Sequence, residues 1–203
     1  MSLPEISGEQ LRIGVAVTVP QPFFATLQAA RGRVGDPAAP SVPPHITLLG
    51  PTAVEPGDLA AVERHLQEVA SHYRPFVLRL RGTGTFRPVS PVVFVQVVEG
   101  IAGCEALECH IRTGPLEQGL RFNYHPHVTV AHEVAEAALD RAFVELSRFD
   151  ATFVVHAFHS YECGDDEVWR PVRDFPLTGG TDLAAARLPG IRVAPGAGAP
   201  HSS

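Results

Sequence analysis

The chain repeats itself at a long interval. Leu11 to Val19 alternates cleanly, with Leu11, Ile13, Val15, Val17 and Val19 on one face and Arg12, Gly14, Ala16 and Thr18 on the other, as a strand with one buried face does. A second such strand, Val92 to Val98, starts 81 residues later. Two further strands, each opening Pro-His-x-Thr, start 82 residues apart at His45 and His127. One duplication of a strand-helix-strand-helix-strand unit accounts for both offsets. Two copies are too few for a solenoid, so the repeat predicts two similar lobes that share a cleft.

The elements between these strands follow from periodicity and punctuation. A short helix is expected from Gln21 to about Arg31, then a Gly/Pro-rich loop to Pro44. His45 to Leu49 reads as a strand closed by Gly50-Pro51. Leu59, Val62, Leu66, Val69 and Tyr73 step by three and four, which predicts an amphipathic helix from Asp58 to Tyr73 with Asp58 as N-cap. Phe76 to Arg81 is a third strand. In the second half, Glu105 to Gln118 is helix-like but broken near Gly114-Pro115, and His127 to Ala131 is a strand. Ala135 to Leu146 is a helix with Leu139, Phe143 and Leu146 on one face. Ala151 to Tyr161 is read as one strand, and Glu167 to Leu177 returns after a Gly164-Asp165 turn. The expected organisation is a flexible segment 1–10, a single bilobal domain over 11–177 and a disordered Gly/Ala/Pro-rich tail over 178–203. The lobes span about 11–83 and 92–177, with exchange of elements between them allowed.

Composition narrows the chemistry. With 203 residues, 45% hydrophobic and 19% charged, the chain suits one ordinary globular domain. Its apolar runs are strand-sized, no secretory signal is visible, and Cys104, Cys109 and Cys163 follow no zinc spacing, so a cytoplasmic protein with reduced thiols is expected. The net charge of −6 disfavours tracking of a long polyanion and favours a short ligand. All sixteen basic residues are arginines. Without a lysine there is no lysyl-nucleotidyl intermediate, no P-loop lysine and no pyridoxal Schiff base. Ligation by the usual ATP-dependent route is excluded.

The paired motifs supply what that composition leaves open. In Pro44-His45-Ile46-Thr47-Leu48 and Pro126-His127-Val128-Thr129-Val130, strand geometry puts each His and Thr on one face and the apolar pair on the other. Proline suits a strand start, where no ladder hydrogen bond is lost. In-line cleavage of a phosphodiester needs one group to deprotonate the attacking oxygen and another to protonate the departing one. Histidine, with its ordinary pKa near 6.5, serves either role. Each threonine hydroxyl can bond a non-bridging phosphate oxygen, and no metal or cofactor is required.

These motifs, H-[IV]-T-[LV] about eighty residues apart in a duplicated chain of this length, resemble the 2H phosphoesterases. That superfamily includes the 2′-5′ RNA ligase-like proteins and the RNA 2′,3′-cyclic phosphodiesterases. The resemblance covers about Leu11 to Leu177 and is specific at the two motifs. It implies an α+β, bilobal, pseudo-two-fold fold with two antiparallel sheets lining a central cleft and helices outside. It implies catalysis by His45 and His127 and phosphate binding by Thr47 and Thr129. It further implies a metal-independent, monomeric hydrolase acting on a cyclic or short phosphodiester, above all a 2′,3′-cyclic phosphate on a nucleotide or RNA end. ATP-independent 2′-5′ ligation by the reverse reaction and a non-catalytic nucleotide-binding module are the alternatives. Gly82-Thr83-Gly84-Thr85-Phe86 resembles the glycine-aromatic turn that often follows the third strand in this superfamily. Where its RNA ligase-like branch often carries Arg two residues after the second motif, this chain has His132.

Other polar and aromatic residues are weaker candidates. Phe86, Phe122 and Tyr124 flank the expected cleft and could stack on a base, although core packing explains them as well. Arg87 and Arg121 could meet a terminal phosphate, and Arg79 and Arg81 less directly. A metal set of His125, His127 and His132 or Cys163 lacks the usual supporting carboxylates or thiols. His65 and His72 read as a solvated helix stripe, His156 and His159 as an unpaired set on opposite strand faces, and His110 and His201 carry no signal.

Overall fold

A computed structural model describes residues 4–120 and 122–180 of the chain. Among them are eight strands: β1 (Leu11–Thr18), β2 (His45–Val54), β3 (Phe76–Thr85), β4 (Val92–Glu99), β5 (His127–His132), β6 (Asp150–Val155), β7 (Ala157–Cys163) and β8 (Trp169–Pro176). Four α-helices join them: α1 (Phe23–Arg33), α2 (Leu59–His72), α3 (Ile101–Ile111) and α4 (Glu136–Glu145). The strands form two antiparallel sheets, ordered β2-β1-β7-β8 and β5-β4-β3-β6. The bilobal α+β architecture is therefore present, and its pseudo-symmetry matches β1 with β4, β2 with β5 and β7 with β3.

The two sheets do not follow the two halves of the sequence. β3, from the first half, lies between β4 and β6, while β7 and β8, from the second half, complete the sheet begun by β1 and β2. The first half thus lends β3 to the second sheet, and the second half lends β7 and β8 to the first. The stretch expected as one strand over 151–161 breaks at His156, with β6 in one sheet and β7 in the other. A run of β-prone residues cannot show where a chain changes sheets.

Three boundaries also move. β2 continues through Gly50-Pro51 to Val54, because β2 is an edge strand and Pro51 gives up no ladder bond there. β3 runs on through the expected turn at 82–86: Gly82, at φ +64°, takes up an irregularity, after which Thr83, Gly84 and Thr85 pair with β4. α3 begins at Ile101, four residues earlier than periodicity suggests, after Gly100 turns the chain out of β4 at φ +87°. Asp58 does occupy the N-cap of α2, but without a side-chain capping bond.

The core lies between sheets and helices. α2 packs on β8 with Val62, Leu66 and Val69 buried, and α4 packs on β3, β4 and β5 with Leu139 buried. Phe143, expected on that same face, lies at the exposed margin. α1 reaches across to β5 and α3 to β2, so the helices also bridge the lobes. No helix among the described residues is long and apolar enough to cross a membrane. The tail beyond 180, expected to be disordered, and residues 1–3 lie outside the described residues.

Candidate active site

Both motif strands are edge strands, and they touch across the space between the sheets. Ile46 and Leu48 are 0% and 2% exposed and Val128 and Val130 both 0%, whereas His45, Thr47, His127 and Thr129 are half-buried on the opposite faces. Burying each apolar side chain is worth about 1.5–3 kcal/mol. A one-residue slip would exchange the faces and forfeit all four. The register holds a second likeness. Leu48 is an extra residue between the pairs Ala16–Thr47 and Val15–Leu49, and Val130 is extra between Phe94–Thr129 and Val93–Ala131. Each motif therefore ends in a bulge at the same place. Its trace in the sequence is the doublet Leu48-Leu49 and Val130-Ala131, which breaks the alternation. Alternation restarts out of phase, and His132 is again half-buried.

The two imidazoles are held alike. His45 Nδ1 lies 2.7 Å from the Pro43 carbonyl and His127 Nδ1 lies 2.6 Å from the His125 carbonyl, in each case two residues upstream. A carbonyl only accepts, so Nδ1 carries the hydrogen in both rings. The nitrogen without that hydrogen is then Nε2. His45 Nε2 is 3.1 Å from Thr47 Oγ1, which donates to it while the ring is neutral.

Their surroundings differ. His127 is boxed by Phe86 and Phe94, both with ring centroids 5.0 Å away, and its ring stacks on that of His125 at 6.1 Å with a tilt of 28°. Burial drives the His127 pKa down to about 4, the His125 carbonyl opposes this, and the neighbouring His125 and His45 rings add to it. Burial also lowers His45, again opposed by the Pro43 carbonyl, and Arg31 lowers it further. Arg31 is a buried cation whose Nε bonds Asp36 at 3.0 Å and whose Nη1 bonds the Val42 carbonyl at 2.6 Å. It fixes the loop that delivers Pro43 and His45.

Tyr124 does not present its ring as a free platform. It packs on the core and its hydroxyl donates to the Thr47 carbonyl at 2.9 Å, linking the approach to β5 with β2. Arg87 is drawn to α4, bonding Glu136 at 2.6 Å and Asp140 at 2.9 Å, so its charge is neutralised by two carboxylates rather than offered to a phosphate. Arg79 is likewise bonded to Asp150. Phe86 is part of the box around His127, and Phe122 is 63% exposed. His132 Nε2 sits 3.8 Å from Glu133. Arg121 lies outside the described residues. Among the described residues no group of three His, Cys, Asp or Glu side chains is placed to hold a metal.

Several residues near the motifs carry no motif of their own. Thr18 pairs with His45 across β1 and β2, and its Oγ1 meets Tyr161 OH at 2.6 Å and His159 Nδ1 at 3.1 Å. Gln96 pairs with His127, and Phe94 with Thr129. His159 and Tyr161 share a face at a spacing of two, but only the pairing of β7 with β1 brings them to Thr18. Away from the cleft, His72 is exposed as expected, but His65 is half-buried and the two belong to a cluster rather than a bare stripe. Both rings pack edge-on against His110, which also bonds Tyr73, and His65 donates to the Ile111 carbonyl.

Residues 19–167 match the family model described as the 2′-5′ RNA ligase superfamily. The chain belongs to that superfamily. The 2H phosphoesterase resemblance is thereby established, and among curated relatives are candidate phosphoesterases of Bacillus licheniformis and Halalkalibacterium halodurans. The first is 28% identical over 70% of this chain and 85% of the relative, the second 30% over 62% and 72%. The fold is that of Escherichia coli LigT. The LigT crystal structure with 3′-AMP superposes with a TM-score of 0.66 at 20% identity, covering 84% of this chain and 99% of LigT, and the one with NADP+ gives 0.61 at 19% over the same shares. As a 2H phosphoesterase the chain carries both motif histidines, both threonines and the acidic balance noted above, with His132 in place of the expected arginine.

Proposed function

We propose that this chain hydrolyses a 2′,3′-cyclic phosphate on a nucleotide or RNA end, without a metal, using His127 as base and His45 as acid. The observation that carries this reading is the matched tethering of the two imidazoles, each fixed through Nδ1 so that Nε2 is the nitrogen left to exchange a proton. Family membership supplies the reaction class. The LigT structures with 3′-AMP, NADP+ and phosphate support a small phosphate-bearing ligand.

The roles follow from the unequal surroundings. His127, held neutral in its aromatic box, takes a proton from water as the water oxygen attacks phosphorus. The bond from phosphorus to one ribose oxygen breaks on the opposite side. His45, charged through its nearness to the bound phosphodiester anion, passes its Nε2 proton to that oxygen. Thr47 and Thr129 donate to the non-bridging oxygens as negative charge builds there. The product is a phosphomonoester, and each proton ends on a named atom.

Incubation with a 2′,3′-cyclic nucleotide in excess EDTA tests the proposal. Turnover should persist in chelator, while His45→Ala and His127→Ala should each lower it by about two to four orders of magnitude with the fold intact. Near-normal turnover in either variant removes the paired assignment.

A further inference from the structure

A histidine pair serves an attacking alcohol as well as it serves attacking water, so the choice between hydrolysis and transfer lies elsewhere in the site. The two walls of the cleft differ in this respect. Opposite Thr129 on β4 stands Phe94, and opposite Thr47 on β1 stands Ala16. Two residues before His127 stands His125, and two before His45 stands Pro43. The second sheet therefore sets rings around its motif histidine where the first sets a methyl group and a proline. Phe86 and Phe94 meet at 4.4 Å between centroids, and they meet His125 at 5.7 and 5.4 Å. With the 5.0 Å contacts that both make to His127, the rings form one packed cluster about the base.

This wall is braced from behind. Phe94 is 4% exposed and lies on the bare backbone of Gly84, so close that a Cβ there would sit 2.6 Å from the ring. Phe86 is fixed through its main chain. Its N–H donates to the Val92 carbonyl at 3.1 Å, and its own carbonyl accepts from the Val89 and Ser90 N–H groups at 2.9 and 3.0 Å. Rings packed in this way do not step aside for a larger group without strain. In an in-line displacement the attacking and departing oxygens stand on opposite sides of phosphorus. With His45 as acid, the departing ribose oxygen lies on the side of Ala16, which presents only a methyl group to the sugar. The attacking oxygen has to reach His127 Nε2 beside the phenyl rings.

We infer that Phe86 and Phe94 select the attacking group by size, admitting water and shutting out a nucleoside hydroxyl, so that the site hydrolyses a cyclic ester but does not transfer its phosphoryl group to an RNA 5′-hydroxyl. The inference rests on the proposed reaction and its assignment of base and acid. With water, the water oxygen bonds to phosphorus and gives a proton to His127 Nε2. The bond from phosphorus to one ribose oxygen breaks, that oxygen takes the His45 Nε2 proton, and a monoester results. With an alcohol the same steps leave the alcohol oxygen and its carbon chain on phosphorus, and the product is a diester. The share of diester therefore reports which group attacked.

Turnover of adenosine 2′,3′-cyclic phosphate in buffer holding methanol or glycerol at equal molarity, with the products separated by mass, provides the test. Wild type should form several-fold less glyceryl diester than methyl diester. Phe86→Ala, and the milder Phe86→Leu, should raise the glyceryl share about tenfold, the scale on which an apolar wall discriminates by size. Equal shares of the two diesters from wild type, or a glyceryl share unchanged in both variants, overturns the size selection and leaves the hydrolysis standing. Absence of any product from wild type overturns the proposed reaction and the selection with it.

Discussion

The Tyr124 hydroxyl donates a 2.9 Å hydrogen bond to the main-chain carbonyl of Thr47, 77 residues away in sequence. It occupies an acceptor on the free side of an edge strand, and it ties the segment that introduces His127 to the strand that carries His45. Burial raises the Tyr124 pKa, so the hydroxyl keeps its proton and remains a donor at any working pH. Tyr124→Phe should cost about 1 kcal/mol, lowering the melting temperature by about 2–4 °C. At 25 °C, where the variant is folded, kcat should still fall several-fold as the two imidazoles lose their fixed separation. An unchanged kcat would show that the spacing is set elsewhere.

The pH profile should be displaced to acid. The base must be neutral, so kcat/KM falls as pH drops through the His127 pKa of about 4. The acid must be protonated, and His45 in the free protein lies below its ordinary 6.5, so the alkaline limb begins below that pH. A bound phosphate anion raises His45, which moves the alkaline limb of kcat above that of kcat/KM. Coincident alkaline limbs, or a kcat/KM optimum above pH 8, would contradict these roles.

Stability should run the other way. Both histidines have folded-state pKa values below the unfolded value, so the unfolded chain binds more protons between pH 6.5 and 4. The stability they confer is complete above pH 6.5 and is lost as the pH falls toward 4. His127→Gln should therefore lose less of its melting temperature than wild type between pH 7 and pH 5. Parallel losses would mean that His127 is not held neutral by the fold.

A Cβ at Gly84 would lie 2.6 Å from the Phe94 ring, which is closer than packed atoms approach. Since Phe94 stands against His127, Gly84→Ala should displace the wall of the base and lower kcat about tenfold or more, with a smaller effect on KM. Gly57, with open space around it, is the control, and Gly57→Ala should leave turnover as it is.

Arg31 and Asp36 are both buried, and breaking such a pair from one side leaves a charge without a partner. Arg31→Met should destabilise the fold by about 3–5 kcal/mol in chemical denaturation. A loss below 1 kcal/mol would mean that the loop before His45 is held by other contacts.

The site was legible because the motifs state their own geometry: alternation in Pro-His-x-Thr fixes which side chains face the cleft before any tertiary contact is known. Thr18, His159 and Tyr161 were not legible. Each is an ordinary strand residue whose meaning comes from pairing between β1 and β7, some 140 residues apart in the chain. Arg87 misleads for a related reason, since its two carboxylates lie on α4, about fifty residues downstream. The fold divides in the same way. Strand and helix positions follow from local periodicity, whereas the break at His156 is decided by which sheet has a vacant edge.

The lending of β3 and β7 between the sheets has a consequence for how the molecule comes apart. A cut near 86–91 would give two fragments, each with one motif strand and each missing a partner that its own first strand needs. Neither fragment is a smaller version of the whole, and mixing them is the only way to rebuild a sheet. Three of the six strand pairings, β1 with β7, β3 with β4 and β3 with β6, join one half of the chain to the other, so neither sheet is finished before distant segments meet, which favours slow and all-or-none assembly. The two histidines are thus not carried by separable modules: a chain that has lost one lobe has lost both.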